Sequence, residues 1–179
     1  DHDVYLFDGS FNALKKAKER RGIENCFCGF VEEKLPYLDN YFDYIFWGDN
    51  VEHVYYPHKT LQEIRRILKP SGKVIISMPN MGYWFYRIWY LLFGNVITTE
   101  CHIQEHWKFE HIRFFNKSTF TKLAKEENFT VESVKPIIKG RVVLLDTIGA
   151  KIFPALFAED LLFTLIKPEN DLSETPNVL

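Results

Sequence analysis

The sequence predicts an α/β fold in which a mostly parallel sheet is covered by helices on both faces. Three observations lead there. Short apolar runs alternate with stretches of helical periodicity along most of the chain. The run KVIISM, Lys73 to Met78, is nearly continuous in apolar character, as a strand buried on both sides must be. Ahead of it, in HKTLQEIRRILKPSG, Leu61, Ile64, Ile67 and Leu68 form one helical stripe, and Pro70 with Gly72 ends the helix.

The first strand signal is VYLF, Val4 to Phe7, closed by Asp8-Gly9-Ser10. A helix follows: Phe11, Leu14 and Ala17 recur at helical spacing, Ser10 can cap it, and Gly22 can close it in the left-handed conformation. A short strand around Cys26 to Phe30 and a longer one, FDYIFW at residues 42 to 47, lead to the helix and strand described above. Residues 81 to 94 are dense in aromatic side chains, and the stretch to about His111 is irregular. Residues 81 to 115 either cover the carboxyl ends of the strands, where open α/β folds place ligands, or contribute a buried helix to the core. In STFTKLAKEENF, Ser118 is the expected cap, with Phe120, Leu123 and Ala124 packed inward. FTVESVKPI then predicts a strand, Val142 to Phe153 a short helix and LLFTLIK, residues 161 to 167, a final strand. The reading is one domain over residues 1 to 167 and a flexible tail over residues 168 to 179.

A chain of 179 residues supports one core and little more. With 22 basic against 24 acidic residues the formal charge is -2, so no global field gathers nucleic acid, which is not an expected partner. Cys26, Cys28 and Cys101 are an odd set, which argues for a reducing, cytoplasmic setting rather than a disulfide scaffold. Cys26 and Cys28 are not assigned as a metal pair. No basic region precedes an apolar stretch at the start, and no secretory signal is read. Arg87 interrupts one apolar stretch and Glu159 with Asp160 another, so neither reaches the roughly 20 residues a membrane helix needs.

The segments VYLFDGS, LPYLDNYFDYIFWGDNVEHV, LQEIRRILKPSGKVIISMPN and FEHIRFF, in this order, resemble the class I S-adenosylmethionine-dependent methyltransferases. The likeness is to small-molecule enzymes of the ubiquinone- and methionine-biosynthesis types. It covers roughly residues 4 to 135, with a looser fit through residue 167. It implies a Rossmann-like sheet of spatial order 3-2-1-4-5-7-6, with S-adenosylmethionine as cofactor and S-adenosylhomocysteine as product. LKPSG departs from the common LKPGG turn by one serine.

By that resemblance Asp8 binds the ribose hydroxyls, a task for which a carboxylate is a stronger acceptor than a neutral side chain. Gly9 belongs to the same cofactor-binding turn. The family often places an acidic residue where Phe30 stands. Phenylalanine can stack on a purine but cannot accept the adenine amino hydrogen bond. Val31 is a candidate backbone donor there, and Glu32 an alternative acid. Trp47 and Gly48 are expected to wall the cofactor, since aromatic surface excludes water and glycine permits close backbone approach. His53 and His111 are the candidate general bases, with Glu52 less clearly placed, because imidazole titrates near neutral pH. Asn80, Tyr83 and Arg113 are candidate substrate-binding residues. His102, His106 and His111 lie close in sequence but match no strong ligand motif, and no metal site is assigned.

The expected first strand with its glycine-rich turn, of the type D-x-G-x-G-x-G, is not found, and the chain reads as starting at strand two of the resembled fold. Without that strand, the 3-2 half and the 4-5-7-6 half each keep an interior edge lacking its ladder partner. The leading expectation is methyl transfer to a small-molecule acceptor, at oxygen. The alternative is an inactive methyltransferase-like interaction module, with a homodimer as one means of covering the open edge. An RNA methyltransferase is disfavoured by the lack of a basic strip.

Overall fold

The computed structural model describes residues 2–95, 110–139 and 143–169. The backbone gathers into two compact units, Asp1–Tyr37 and Leu38–Leu179.

The first unit is one β-α-β turn of chain. Strand β1 (Tyr5–Asp8) pairs in parallel with β2 (Asn25–Cys28), Tyr5 opposite Asn25 and Asp8 opposite Cys28. Helix α1 (Phe11–Arg21) joins them. Ser10 Oγ accepts from the Ala13 N–H, and Gly22 closes the helix at φ 66°, both as expected. The expected inward stripe is not realised: Leu14 is buried, whereas Phe11 is 70% exposed. Tyr37 is the hub of the other face, meeting the rings of Tyr5, Phe7 and Phe27 edge-on.

The second unit carries a four-stranded sheet of order β3-β4-β6-β5. Strand β3 (Phe42–Gly48) leads into helix α2 (Pro57–Ile67) and β4 (Leu68–Pro79). Pro57 suits the first helical turn, where its missing N–H leaves no bond unmade. Helix α2 stops at Ile67, earlier than the sequence suggested, because Pro70 disfavours helical geometry at Lys69. Leu68 is fully buried, but as the first residue of β4. The register jumps from Phe42–Leu68 to Tyr44–Lys73, so Lys69 to Gly72 bulge out, with Ser71 at φ 60°.

Helix α3 (Trp84–Phe93) comes next, then α4 (Lys117–Glu126) and β5 (Thr130–Ile137). Asn116, not Ser118, caps α4: its side chain accepts from the Thr119 N–H while Thr119 Oγ1 accepts from the Asn116 N–H. Phe120 and Ala124 are buried as expected and Leu123 is half-buried. Helix α5 (Val143–Ile152), the short α6 (Pro154–Phe157) and strand β6 (Asp160–Ile166) complete the unit. Gly149 lets the two helices touch, since a Cβ there would stand 2.3 Å from the Phe157 ring.

Strands β3, β4 and β5 run one way and β6 runs antiparallel between β4 and β5, so the sheet is mixed and mostly parallel, as expected. Order β3-β4-β6-β5 corresponds to 4-5-7-6 of the resembled fold, and the β1-β2 pair to its 3-2 half. The core lies here: Val74, Ile76 and Met78 of β4 and Leu161, Phe163 and Leu165 of β6 are buried with Leu61, Ile64 and Phe120 from the helices. Of the two roles weighed for residues 81 to 94, a buried helix is not what forms: Tyr83 and Tyr86 are buried, but Ile88 and Tyr90 to Phe93 are exposed. No helix among the described residues is long and apolar enough to cross a membrane. Cys101, His102, His106 and most of the expected tail lie outside the described residues.

Candidate active site

In the first unit the chemistry gathers where two parallel strands end, the end at which open α/β sheets bind ligands. Asp8 closes β1 and is exposed. Its Oδ1 accepts the Ser10 N–H at 2.7 Å, a local turn that orients the carboxylate, and it makes no other hydrogen bond among the described residues. The Gly29 N–H donates to the Asp8 carbonyl, which ties the end of β1 to the chain leaving β2. Gly9 sits between the two: a methyl there would lie 3.7 Å from the Gly29 carbonyl oxygen and 4.0 Å from the Phe30 ring, ordinary contact distances. Phe30 is 68% exposed. Val31 follows in a turn, half-buried, and its N–H donates to no described group. One strand end thus offers an anionic acceptor, an uncommitted backbone donor and an exposed aromatic face.

In the second unit Trp47 is buried near the end of β3, its Nε1–H donating to Asn50 Oδ1 at 2.9 Å. At Gly48 a Cβ would stand 2.6 Å from the exposed Phe46 ring, which would have to turn aside, and 3.2 Å from Ser77 Oγ. Asp49 then turns the chain at φ 43°, a conformation Asp tolerates better than most residues. Its N–H reaches the Ser77 carbonyl at 3.0 Å, and the Ser77 hydroxyl donates to Asp49 Oδ1 at 2.9 Å.

The turn that follows brings two of the candidate residues together with a third. Glu52 is 3% exposed. Its Oε1 lies 4.0 Å from His53 Nε2 and 3.9 Å from His111 Nε2, and the two imidazoles meet edge-on at 4.6 Å. Its Oε2 is buried without a hydrogen-bond partner. Burial is the main force lifting the Glu52 carboxyl above its ordinary range, and the charges of Asp49 and Asp160 add to it. His111 is delivered by backbone bonds: the Ile112 and Arg113 N–H groups both donate to the Glu52 carbonyl, at 2.9 and 3.0 Å. Arg113 spends its guanidinium on carbonyl oxygens, that of Tyr55 at 2.7 Å and that of Ile112 at 3.2 Å.

Asn80 and Tyr83 are engaged in structure. Asn80 is fully buried; its amide donates to the Ala155 and Ala158 carbonyls, and its Oδ1 accepts the Gly82 N–H. Tyr83, also fully buried, donates to Asp146 Oδ2 at 2.5 Å, and Trp84 Nε1–H donates to Oδ1 at 2.8 Å. Burial first and the hydrogen bond to Asp146 second hold the Tyr83 phenol well above its usual range. Sequence reasoning left Glu52 undefined and missed Asp146, although the adjacent Glu52-His53 pair was a visible signal. A groove of about 550 Å³ between α4 and β5, lined by Lys117, Lys125 and Glu132 among others, contains none of the candidate residues.

A family model described as a methyltransferase domain matches residues 2–76. An uncharacterized protein of Methanocaldococcus jannaschii is 42% identical over 82 residues, 45% of this chain and 33% of the relative. A demethylmenaquinone methyltransferase of Geobacillus kaustophilus is 28% identical over 152 residues, 77% of this chain and 64% of the relative. The chain therefore spans a third of the first relative and just under two thirds of the second. Among solved structures, a Thermotoga maritima protein described as a S-adenosylmethionine-dependent methyltransferase and possible histamine N-methyltransferase superposes with a TM-score of 0.64. It shares 18% identity, over 92% of this chain and 73% of that one, a likeness of fold alone.

Proposed function

We propose that this chain binds S-adenosylmethionine and transfers its methyl group to an oxygen of a small, ring-bearing acceptor, a reading supported by the methyltransferase-domain model over residues 2–76 and by the likeness of fold. The observation that carries the proposal is the strand end of the first unit. Asp8 keeps carboxylate capacity for a pair of ribose hydroxyls, Val31 keeps a backbone donor, and Phe30 presents a face on which a purine can stack. These are the group types a nucleoside needs, and the donor set fits the cofactor. Phe30 replaces the customary acid, so adenine recognition would rest on stacking and the Val31 N–H.

Bound S-adenosylmethionine supplies a methyl group already activated on sulfonium, so the protein needs to position an acceptor in line and take up its proton. Trp47 and the close-packed Gly48 give the second unit a rigid apolar wall at the end of β3. His53 and His111 are the proton acceptors of the proposal: an acceptor hydroxyl would pass its proton to an imidazole nitrogen as its oxygen bonds to the methyl carbon. Glu52 would steady the imidazolium so formed. Arg113, Asn80 and Tyr83 shape the surroundings through the bonds they already make.

Isothermal titration with S-adenosylhomocysteine tests the reading. Saturable one-site binding is expected, weakened at least tenfold by Asp8→Asn, since a hydrogen bond to a charged group contributes about 1.5–3 kcal/mol. A folded chain that shows no binding, or an Asp8→Asn variant that binds as tightly as the parent, overturns it. The reading left standing would be a non-catalytic interaction module or homodimer, for which the exposed apolar residues Ile88 and Tyr90 to Phe93 would be the docking face.

A further inference from the structure

We propose that Glu52, His53 and His111 form a binding site for one divalent transition-metal ion, a role the sequence did not suggest. Four observations converge. First, the distances of 4.0 and 3.9 Å from Glu52 Oε1 to the two Nε2 atoms exceed those of hydrogen bonds. They suit a shared ion, because ligand atoms each about 2.1 Å from one metal stand roughly 3–4 Å apart. One ligand atom from each residue falls within 4.8 Å of the other two, so small side-chain rotations close the site.

Second, Glu52 Oε2 is buried with no partner, a costly state for a carboxylate that a bound cation removes. Third, the His53 tautomer is set from behind. Its Nδ1 lies 3.2 Å from the Glu110 carbonyl, which can only accept, so Nδ1 carries the hydrogen. In the neutral ring the lone pair is then on Nε2, the atom facing Glu52; a backbone carbonyl orienting a metal-bound imidazole in this way is a common arrangement. Fourth, the charge around the site is negative. Asp49 and Asp160 both act on Glu52, and the nearby cation Lys139 is engaged with Asp160.

Two imidazole nitrogens and one carboxylate oxygen favour zinc, manganese, iron or cobalt over magnesium and calcium, which prefer all-oxygen shells. Three protein ligands leave further positions for water or an acceptor oxygen. Metal binding does not depend on the methyl-transfer reading, but an ion held on both Nε2 atoms would take the place of the free imidazoles as the means of removing the acceptor proton. A role for the ion in holding the acceptor hydroxyl and easing loss of its proton to solvent rests on that reading.

Cobalt(II) chloride, titrated into the untagged chain after chelator treatment, is the probe, followed by calorimetry and visible absorption. One equivalent per chain is expected, with ligand-field bands and a raised melting temperature. His111→Ala and Glu52→Gln should each weaken binding at least tenfold. His53→Ala, which alters the more exposed ligand, gives the same readout should the buried variants fail to fold. A folded parent chain that takes up no stoichiometric cobalt overturns the proposal, as does undiminished binding by His53→Ala. Titrating S-adenosylhomocysteine into the same samples separates the two ideas: cofactor binding without cobalt binding sinks the metal site alone, and the converse sinks the cofactor reading alone.

Discussion

The two units share one local grammar, strand then helix then parallel strand, and differ in what the grammar encloses. Between Asp1 and Tyr37, Leu14 and Leu35 are the buried apolar residues, and the sheet has two strands of four residues each. From Leu38 onward a four-stranded sheet is packed by α2 and α4, with Leu61, Leu68, Val74, Ile76, Phe120, Phe163 and Leu165 at or near zero exposure. Two short strands and one helix cannot remove much apolar surface from water, whereas each added strand and helix buries both its own face and that of its neighbour. Local sequence can specify the shape of a β-α-β turn. Stability comes from how many such turns share an interior.

The largest expected difference is at the interior itself. Phe163, in β6, packs edge-on against Phe120 at 4.7 Å, and Phe163→Ala should cost about 3–5 kcal/mol. Leu14→Ala should cost less, about 2 kcal/mol, because a thinly covered site collapses more readily. Hydrogen exchange read at β4 and β6 against α1 measures both, and a larger loss at Leu14 would dissolve the contrast.

A middle-sized effect is expected at the buried tyrosine. Tyr83→Phe leaves Asp146 Oδ2 unbonded and should cost about 1–3 kcal/mol at neutral pH. Because the folded-state phenol is held above its ordinary value of about 10, its contribution is full below that pH. The contribution is lost as pH rises toward the folded value. Denaturant midpoints followed from pH 8 to 11 should therefore fall more steeply for the parent than for Tyr83→Phe, and parallel curves would refute the assignment.

The smallest effect contrasts the caps. Ser10 makes one bond of 3.3 Å to α1, while Asn116 and Thr119 cap α4 reciprocally. Ser10→Ala should cost about 0.5 kcal/mol and Asn116→Ala about 1 kcal/mol by thermal denaturation. The reverse order would place more stability in the first helix than its burial suggests.

Where hydrophobic period and boundary residues agree, the sequence was readable: the ends of α1, the buried stripe of α2 and the strand Lys73 to Met78 are written in adjacent residues. The cap of α4 was less so, because Asn116, Ser118 and Thr119 are all competent and only geometry selects among them. Phe11 shows a different gap, since periodicity defines a face without saying whether anything covers it. The antiparallel run of β6 was equally hidden, strand direction being a property of the path between strands. In the candidate site Asp8, His53 and His111 were visible as residue types. The meeting of His111 with Glu52 was not, because it depends on two backbone bonds linking Ile112 and Arg113 to a carbonyl about sixty residues earlier. Asn80 and Tyr83 looked free for substrate in sequence; their partners, Ala155, Ala158 and Asp146, lie more than sixty residues further along the chain.

Because β6 lies between β4 and β5, spatial order departs from the order of synthesis. As the chain leaves the ribosome, β5 emerges before the strand that joins it to the sheet. Until Asp160–Ile166 follow, β5 has no ladder and β4 shows a bare apolar edge. The nascent protein is thus exposed to mispairing for the time needed to translate about thirty residues, roughly 2–6 seconds at 5–20 residues per second. A pause in translation between codons 138 and 159 should lengthen that window and lower the soluble yield, although no contact of the finished fold would change.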